Sequence, residues 1–398
     1  MISFQEAFDT VITTARSFGS ETVPLSKAVG RILAEDSLAD RDFPPFDRAT
    51  KDGIAIHLTE DTSRQAYTIQ GIAAAGSPQM HLTKPQNGLE IMTGAVIPKN
   101  ANTVVMYEHL DIVDGKAYIK KPIRLGQNIH QKGSDRRQGS TLLKKHTLLT
   151  AAEIGVLATV GQSKVSVQKL PKVILISTGD ELVSVDSIPK PHQIRQSNSH
   201  TLQAALSNFG IDADIIHIKD DKQTIKNIIA QTMNSSDVLL ISGAVSKGKF
   251  DYLPEALMEL GVQKKFHRVR QRPGKPFWFG IHPVMETTVF GFPGNPVSTF
   301  ASFYAYFVPW LKRCLSVATK EIHVHLDKPF ENKTDLTRLI NVHTFLKDGC
   351  LIAKQMNDNG SGDLVSLVNA NGFIQVEPHA KIAVDEVVTF TPTRNIFW

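Results

Sequence analysis

Cysteine is nearly absent: Cys314 and Cys350 are the only two in 398 residues, far apart and without partners at metal-binding spacing. A disulfide framework is therefore not expected, and a reducing cytoplasm is the expected setting. No apolar run approaches the roughly 20 residues that span a bilayer, and the first residues, MISFQEAF, lack the basic-then-apolar pattern of a secretory leader. Dense Lys/Arg tracts are also missing. The net charge of +5 and pI near 9.0 are mild, so they suit a small anionic substrate better than nucleic acid. The fourteen histidines form no HExxH or comparable metal set. No GxSxG, no Walker A and no GxGxxG after a strand occurs, which leaves hydrolase-triad, P-loop and dinucleotide-fold readings weak. A cytosolic protein with no membrane and no nucleic-acid partner is predicted.

What is present centres on residues 237–252, DVLLISGAVSKGKFDY. A short apolar run, Val238 to Ile241, has the length of a buried strand, and Ser242 and Gly243 follow it directly. The same layout recurs in KVILISTGDEL (172–182) and TTVFGFPGNPVSTF (287–300). Open α/β sheets bind ligands at such loops, beyond the carboxyl ends of their strands. Three of them on one sheet predict a single crevice.

The length suggests two to four domains. Ser3 and Glu6 are spaced as a capping box before an amphipathic helix over 3–17, followed by a short strand (22–25) and a second helix over 26–36 with Ala28, Val29, Ile32 and Leu33 facing the core. From 54 to about 138, short strands and turns predict a small β module closed as a barrel. A second capping box, Thr150 with Glu153, starts a helix that Gly161 stops. Residues 1–42 and 139–170 are therefore assigned to a linker or helical domain interrupted by a β module at 43–138. Residues 171–320 alternate strand and helix, as in a doubly wound α/β domain, and 321–398 return to strands. The predicted class is α/β multidomain.

In the predicted crevice, backbone N–H groups of the glycine turns and of the helix start after Pro296 favour an oxyanion. Lys247, Lys249, Arg272 and Lys275 add positive charge, whereas Asp180, Glu181, Asp220, Asp221 and Asp251 add negative charge. Carboxylates repel a phosphate unless a hard cation lies between them, and Mg²⁺ takes one or two carboxylates together with phosphate oxygens. Each residue also has a plain structural reading: Asp251 as a helix cap, Asp52 and the Asp220-Asp221 pair as turns, Pro293 and Pro296 as loop braces. The residues alone reach only an anionic, phosphorylated ligand with Mg²⁺.

The same stretches, in this order, resemble the molybdopterin molybdenumtransferase family, whose relatives include the enzymatic half of gephyrin. The matching motifs are FDRATKDGIA (46–55), IMTGA (91–95), GQNIHQKGSD (126–135), STGDEL (177–182), SGAVSKGKFDY (242–252), RPGKPF (272–277) and GFPGNPVS (291–298). The resemblance implies that the α/β domain binds molybdopterin and that the chain inserts molybdate, as co-substrate, into adenylylated molybdopterin with Mg²⁺-dependent release of AMP. It also implies an elongated homodimer in which the β module of one subunit, as a lid, faces the crevice of the other. Asp52, Asp135, Glu181 and Asp251 are the implied catalytic carboxylates, with Asp251 and Glu181 at the metal. Thr93, Asp220, Ser242, Gly243, Lys247, Arg272, Lys275, Pro293, Gly294, Asn295, Pro296 and Ser298 are the implied substrate contacts. The resemblance further implies that Asp52 and Thr93 act from the partner subunit, and that Arg272 and Lys275 hold molybdate or phosphate.

The chain departs from the family pattern at Ala49, Lys51 and Ile54 around Asp52, at His130 where Arg is usual, at Arg272 for Lys, and at Ala244 for Gly. Arg for Lys keeps the charge but changes the geometry. These departures leave a second expectation beside the enzyme: a paralogue that binds or carries the pterin, or scaffolds a partner enzyme.

Overall fold

The computed structural model describes residues 1–59, 66–243, 245, 252–318, 320–357 and 359–394. Lys247, Lys249, Asp251 and Ala244, all singled out above, lie outside the described residues. No helix among the described residues is long and apolar enough to cross a membrane.

The α/β region is a six-stranded sheet in the order Ala213–Ile218, Val173–Thr178, Val238–Ser242, Thr288–Phe292, Trp278–Ile281, Gln263–His267. The first four strands run parallel, and Trp278–Ile281 pairs antiparallel with both of its neighbours. Alternation along each strand divides its side chains between two cores. Val173, Leu175, Val238 and Leu240 pack with the helices Asn198–Ser207 and Pro296–Cys314, and with Phe4, Ala7 and Val11 of the first helix. Ile174, Ile176, Leu239 and Ile241 pack on the other face against Lys222–Met233 and Leu253–Glu259. Each such side chain, fully withdrawn from water, contributes about 1.5–3 kcal/mol, so the strand ends are held on a rigid platform. The Ser3–Glu6 box caps the first helix, Phe4–Thr13, and the Thr150–Glu153 box starts the helix Ala151–Thr159.

The helix expected over 26–36 does not form. Leu25–Lys27 make one 3-10 turn, and Gly30 adopts φ +78°. The backbone then bonds across to the far segment, Gly30 N–H to Leu149 O at 2.8 Å and Leu33 N–H to Thr147 O at 2.9 Å, in place of i→i−4 bonds. Ala28, Ile32 and Leu33 are buried as expected, but Val29 is exposed. Strand Ser20–Pro24 pairs antiparallel with Lys164–Gln168, so segments from both sides of the inserted sheet share one small core of Ala28, Leu33, Leu149, Leu157, Val165 and Val167.

The inserted sheet, in the order Thr103–Met106, Gly53–Ile56, Asn87–Ile91, Ala66–Ala73, Lys116–Ile119, Leu110–Val113, stays open, with no pairing between its end strands among the described residues. The barrel expected there is found in the C-terminal region instead. Thr337–Lys347 is long enough to pair with both Cys350–Gln355 and Gly372–Val376, which closes a ring of five strands around Val324, Ile340, Val342, Ile374 and Phe390. Gln271–Arg272 adds to this ring from the α/β region, parallel to Thr337–Arg338.

Candidate active site in a two-part crevice

Four parallel strands end on one side of the α/β sheet, and their loops line a cavity of about 500 Å³. Thr178 ends the first strand in sequence, with Gly179 and Glu181 after it; Asp220 follows the second, Ser242 ends the third with Gly243 after it, and Pro293, Gly294, Asn295 and Pro296 follow the fourth. Two glycines allow the close approach. Gly243 has φ +96°, and a Cβ there would lie 2.6 Å from Thr178 O and 2.7 Å from Thr178 Oγ1. A Cβ on Gly179 would meet the Glu181 carboxylate at 2.7 Å. Neighbouring bonds fix the rest: Asn198 Nδ2 donates to Gly294 O (2.7 Å), Thr299 Oγ1 to Pro293 O (2.5 Å) and His267 Nε2 to Val245 O (2.7 Å).

This cavity has an oxygen-rich, acidic wall. Glu181 and Asp220 line it beside one cation, Arg195, whose Nε donates to Ser187 O (3.0 Å), and the buried hydroxyls of Thr178 and Ser199 have no hydrogen-bond partner among the described residues. Carboxylate and hydroxyl oxygens are the donors a hard divalent cation takes, with phosphate oxygens completing its shell. The Mg²⁺ implied by the family resemblance therefore fits Glu181 and Asp220. Asp221 belongs to none of this: its Oδ2 accepts the Thr224 N–H at 2.8 Å and caps the following helix, and bonds from the Thr224 hydroxyl and N–H hold its carboxyl below the usual range. Two of the expected anion donors are also already committed. Gly243 N–H donates to Phe292 O (3.1 Å) and Val297 N–H to Ser361 O (3.1 Å), so neither is left for a ligand.

A second cavity, about 300 Å³, adjoins the first through Pro276, Pro293 and Asn295. Arg272, Lys275 and Arg338 line it, with Ser298, Asn341, Gln355 and Ser361, and no carboxylate appears among its described lining residues. The register of the parallel pair sets Arg272 beside Arg338. Like charges held side by side repel, and an anion between them removes that cost. Arg338, Asn341, Gln355 and Ser361 come from the C-terminal region and were not foreseen from the sequence. The only signal was the isolated Arg338 in TRLINV, with nothing local to show that its strand extends the RPGK segment.

Asp52, Thr93 and Asp135 line neither cavity. They lie on or next to the inserted sheet. Thr93 donates to Asp52 Oδ1 through both its N–H (2.6 Å) and its hydroxyl (2.8 Å), and these two bonds hold the Asp52 carboxyl below the usual range. Close by, Tyr107 O–H donates to Glu90 Oε2 (2.7 Å), and burial with that bond pushes the phenol up to about 12. Asp135 Oδ1 pairs with His130 Nε2 at 2.8 Å, while Arg48 reaches His130 Nδ1 at 3.3 Å. Arginine only donates, so Nδ1 accepts and Nε2 carries the proton toward Asp135.

Three family models match the chain in order: the MoeA N-terminal region (domain I and II) over 2–161, a probable molybdopterin binding domain over 174–313, and the MoeA C-terminal region (domain IV) over 323–393. A molybdopterin molybdenumtransferase of Synechocystis sp. is 36% identical over 386 residues, covering 95% of this chain and 96% of that protein. One from Staphylococcus aureus strain COL is 31% identical, covering 94% and 91%. Among solved structures, the molybdopterin biosynthesis MoeA protein of Pyrococcus horikosii superposes with a TM-score of 0.84 at 31% identity, covering 99% of this chain and 100% of that one.

Proposed function

Since the chain belongs to the molybdopterin molybdenumtransferase family, we propose that it inserts molybdate into adenylylated molybdopterin and releases AMP, in the cytoplasm and with Mg²⁺. The observation that carries this reading is the uneven charge of the crevice: two carboxylates and one cation, Arg195, in one cavity, three cations and no carboxylate in the next, and a shared wall of Pro276, Pro293 and Asn295. A ligand with a pyrophosphate at one end and a site for a second oxyanion at the other matches that division.

In the acidic cavity, Glu181 and Asp220 would hold Mg²⁺, and Asp251, near the same glycine loop in sequence, would be a further ligand. The ion supplies charge neutralisation of the anhydride when bound. Ser242 and the Pro293–Pro296 turn shape the floor, and Gly243 lets the backbone come close. In the basic cavity, Arg272, Lys275 and Arg338 hold molybdate, assisted by Ser298; Lys247, five residues after Ser242 in sequence, is a further substrate contact. Charge-assisted bonds of this kind are the strong ones. Asp52, Thr93 and Asp135 complete the site from the partner subunit of a homodimer. Thr93 occupies Oδ1 of Asp52, so that Oδ2 is the oxygen offered to the ligand in the facing crevice. Both the pH direction and the geometry keep Asp52 an anion: its carboxylate is retained as pH falls until the lowered pKa is crossed.

The test is AMP release from adenylylated molybdopterin with Mg²⁺, with and without molybdate. Molybdate-dependent release that disappears in Glu181→Gln supports the enzyme. Tight pterin binding with no such release sinks it and leaves a carrier of the pterin.

A further inference from the structure

The loop that carries Arg272 and Lys275 rests on a buried polar contact that neither motif nor site chemistry demands. Gln271 is fully buried, and its Nε2 donates to Pro273 O, inside the loop, at 3.1 Å. Its Oε1 accepts a short hydrogen bond from the hydroxyl of Tyr306, also fully buried. Tyr306 sits in a π-helical turn, Phe303–Phe307, inserted between the helices Pro296–Ser302 and Val308–Cys314. A π turn carries one extra residue and interrupts the regular ladder, and such turns recur near functional sites. Its ring is clamped between Phe277, 4.7 Å away centre to centre, and Phe4, at 5.3 Å. The loop presses on the same helix a second time, for a Cβ on Gly274 would lie 2.6 Å from Gln271 Nε2 and 2.7 Å from Ser302 Oγ.

Tyr306 has one hydroxyl to place, and burial alone keeps it protonated far above the usual range. Gln271 could hold the loop without it only by leaving Oε1 buried and unpaired, which is costly. The same Gln271 begins the two-residue strand that brings Arg272 beside Arg338. Helix, loop and C-terminal strand thus meet at one side-chain amide.

We propose that Gln271 and Tyr306 are positioning residues that fix the Arg272–Lys275 loop in the geometry that grips the oxyanion in the basic cavity. The proposal rests on the functional reading above only for the identity of that anion. A purely structural pair stabilises the core and nothing more, and replacing both partners with apolar groups then restores what either single change removes. A positioning pair behaves differently, because stability returns while the grip on the anion does not.

Tyr306→Phe, Gln271→Leu and the double variant would be compared with the unsubstituted chain by thermal melting, by the molybdate dependence of AMP release, and by calorimetric binding of sodium molybdate to the pterin-free protein. The expected result is a KM for molybdate raised about fivefold in Tyr306→Phe and about tenfold in the double variant, with kcat within about twofold. The calorimetric affinity should weaken in parallel. Tyr306→Phe is nearly isosteric and keeps the aromatic packing, so it reports even if Gln271→Leu fails to fold. A molybdate KM and affinity within about twofold of the unsubstituted values in Tyr306→Phe overturns the proposal, as does a fall in kcat alone. If the unsubstituted protein binds molybdate but releases no AMP, the functional reading fails and the affinities still decide the positioning role. Absence of molybdate binding to the unsubstituted protein overturns it.

Discussion

The two cavities of the crevice are neighbours built from opposite materials. The acidic one is formed mainly by turns at strand ends of the α/β sheet, joined by Leu182, Ile194 and Arg195 of a small two-stranded sheet, by the start of the helix Asn198–Ser207 and by Gly362, and glycines let its backbones touch. The basic one spans two folding units, with Arg272 and Lys275 from the α/β region and Arg338 from the closed C-terminal ring. The first depends on local sequence, the second on how two units dock. A ligand that carries charge of one kind at two separate points is read by one chain through two different structural devices.

Breaking the acidic end should have the largest effect. Glu181→Gln is expected to lower kcat for AMP release by about 10²–10³-fold, because electrostatic stabilisation in a closed site is worth that much. The molybdate affinity should stay within about threefold by calorimetry, since the basic cavity is untouched. Next, mixing Asp52→Asn with Glu181→Gln tests whether either end is complete within one chain. Two inactive homodimers that exchange subunits should recover about a quarter of the unsubstituted activity, as half the dimers are mixed and each has one intact site. No recovery after verified subunit exchange would mean that the inserted sheet does not serve the facing crevice. Arg338→Gln comes third: about a 10–30-fold rise in the molybdate KM with little change in kcat, and less effect in Arg338→Lys only if charge matters more than the fork. The smallest effect is a shift in pH dependence. Thr93→Val removes the hydroxyl bond to Asp52 Oδ1, so the carboxyl rises toward its ordinary value and the acidic limb of the rate profile should move to higher pH. An unmoved limb would show that Asp52 does not titrate in the reaction.

The same contrast separates what the sequence made legible. The strand runs of the α/β region, its glycine turns and both capping boxes depend on neighbours a few residues apart, and all could be read from the chain. The acidic cavity was legible for the same reason, down to Glu181 and Asp220. Three things were not. The segment 26–36 has helical periodicity, but Gly30 and the partners at 147–149 win its backbone bonds. Ring closure in the C-terminal region depends on one strand, Thr337–Lys347, being long enough for two partners at different points along it. Finally, Arg338 enters the site only because a two-residue strand 66 positions earlier, at Arg272, lies beside it (338 − 272). Pairing at that distance leaves no mark on local pattern. The split of Asp220 from Asp221 is a further lesson. Adjacent identical residues take opposite duties, one facing the cavity and the other capping a helix.

The pairing of Ser20–Pro24 with Lys164–Gln168 also bears on how the protein is made. A chain emerging at about 5–20 residues per second leaves the first strand waiting roughly 7–30 s for its partner. During that interval the whole inserted sheet is synthesised and can fold, while Ser20–Pro24 remains an open edge. Glu21 and Pro24 on that strand discourage pairing with the wrong neighbour. The order of synthesis thus favours finishing the insert before the two ends of its host are joined around it.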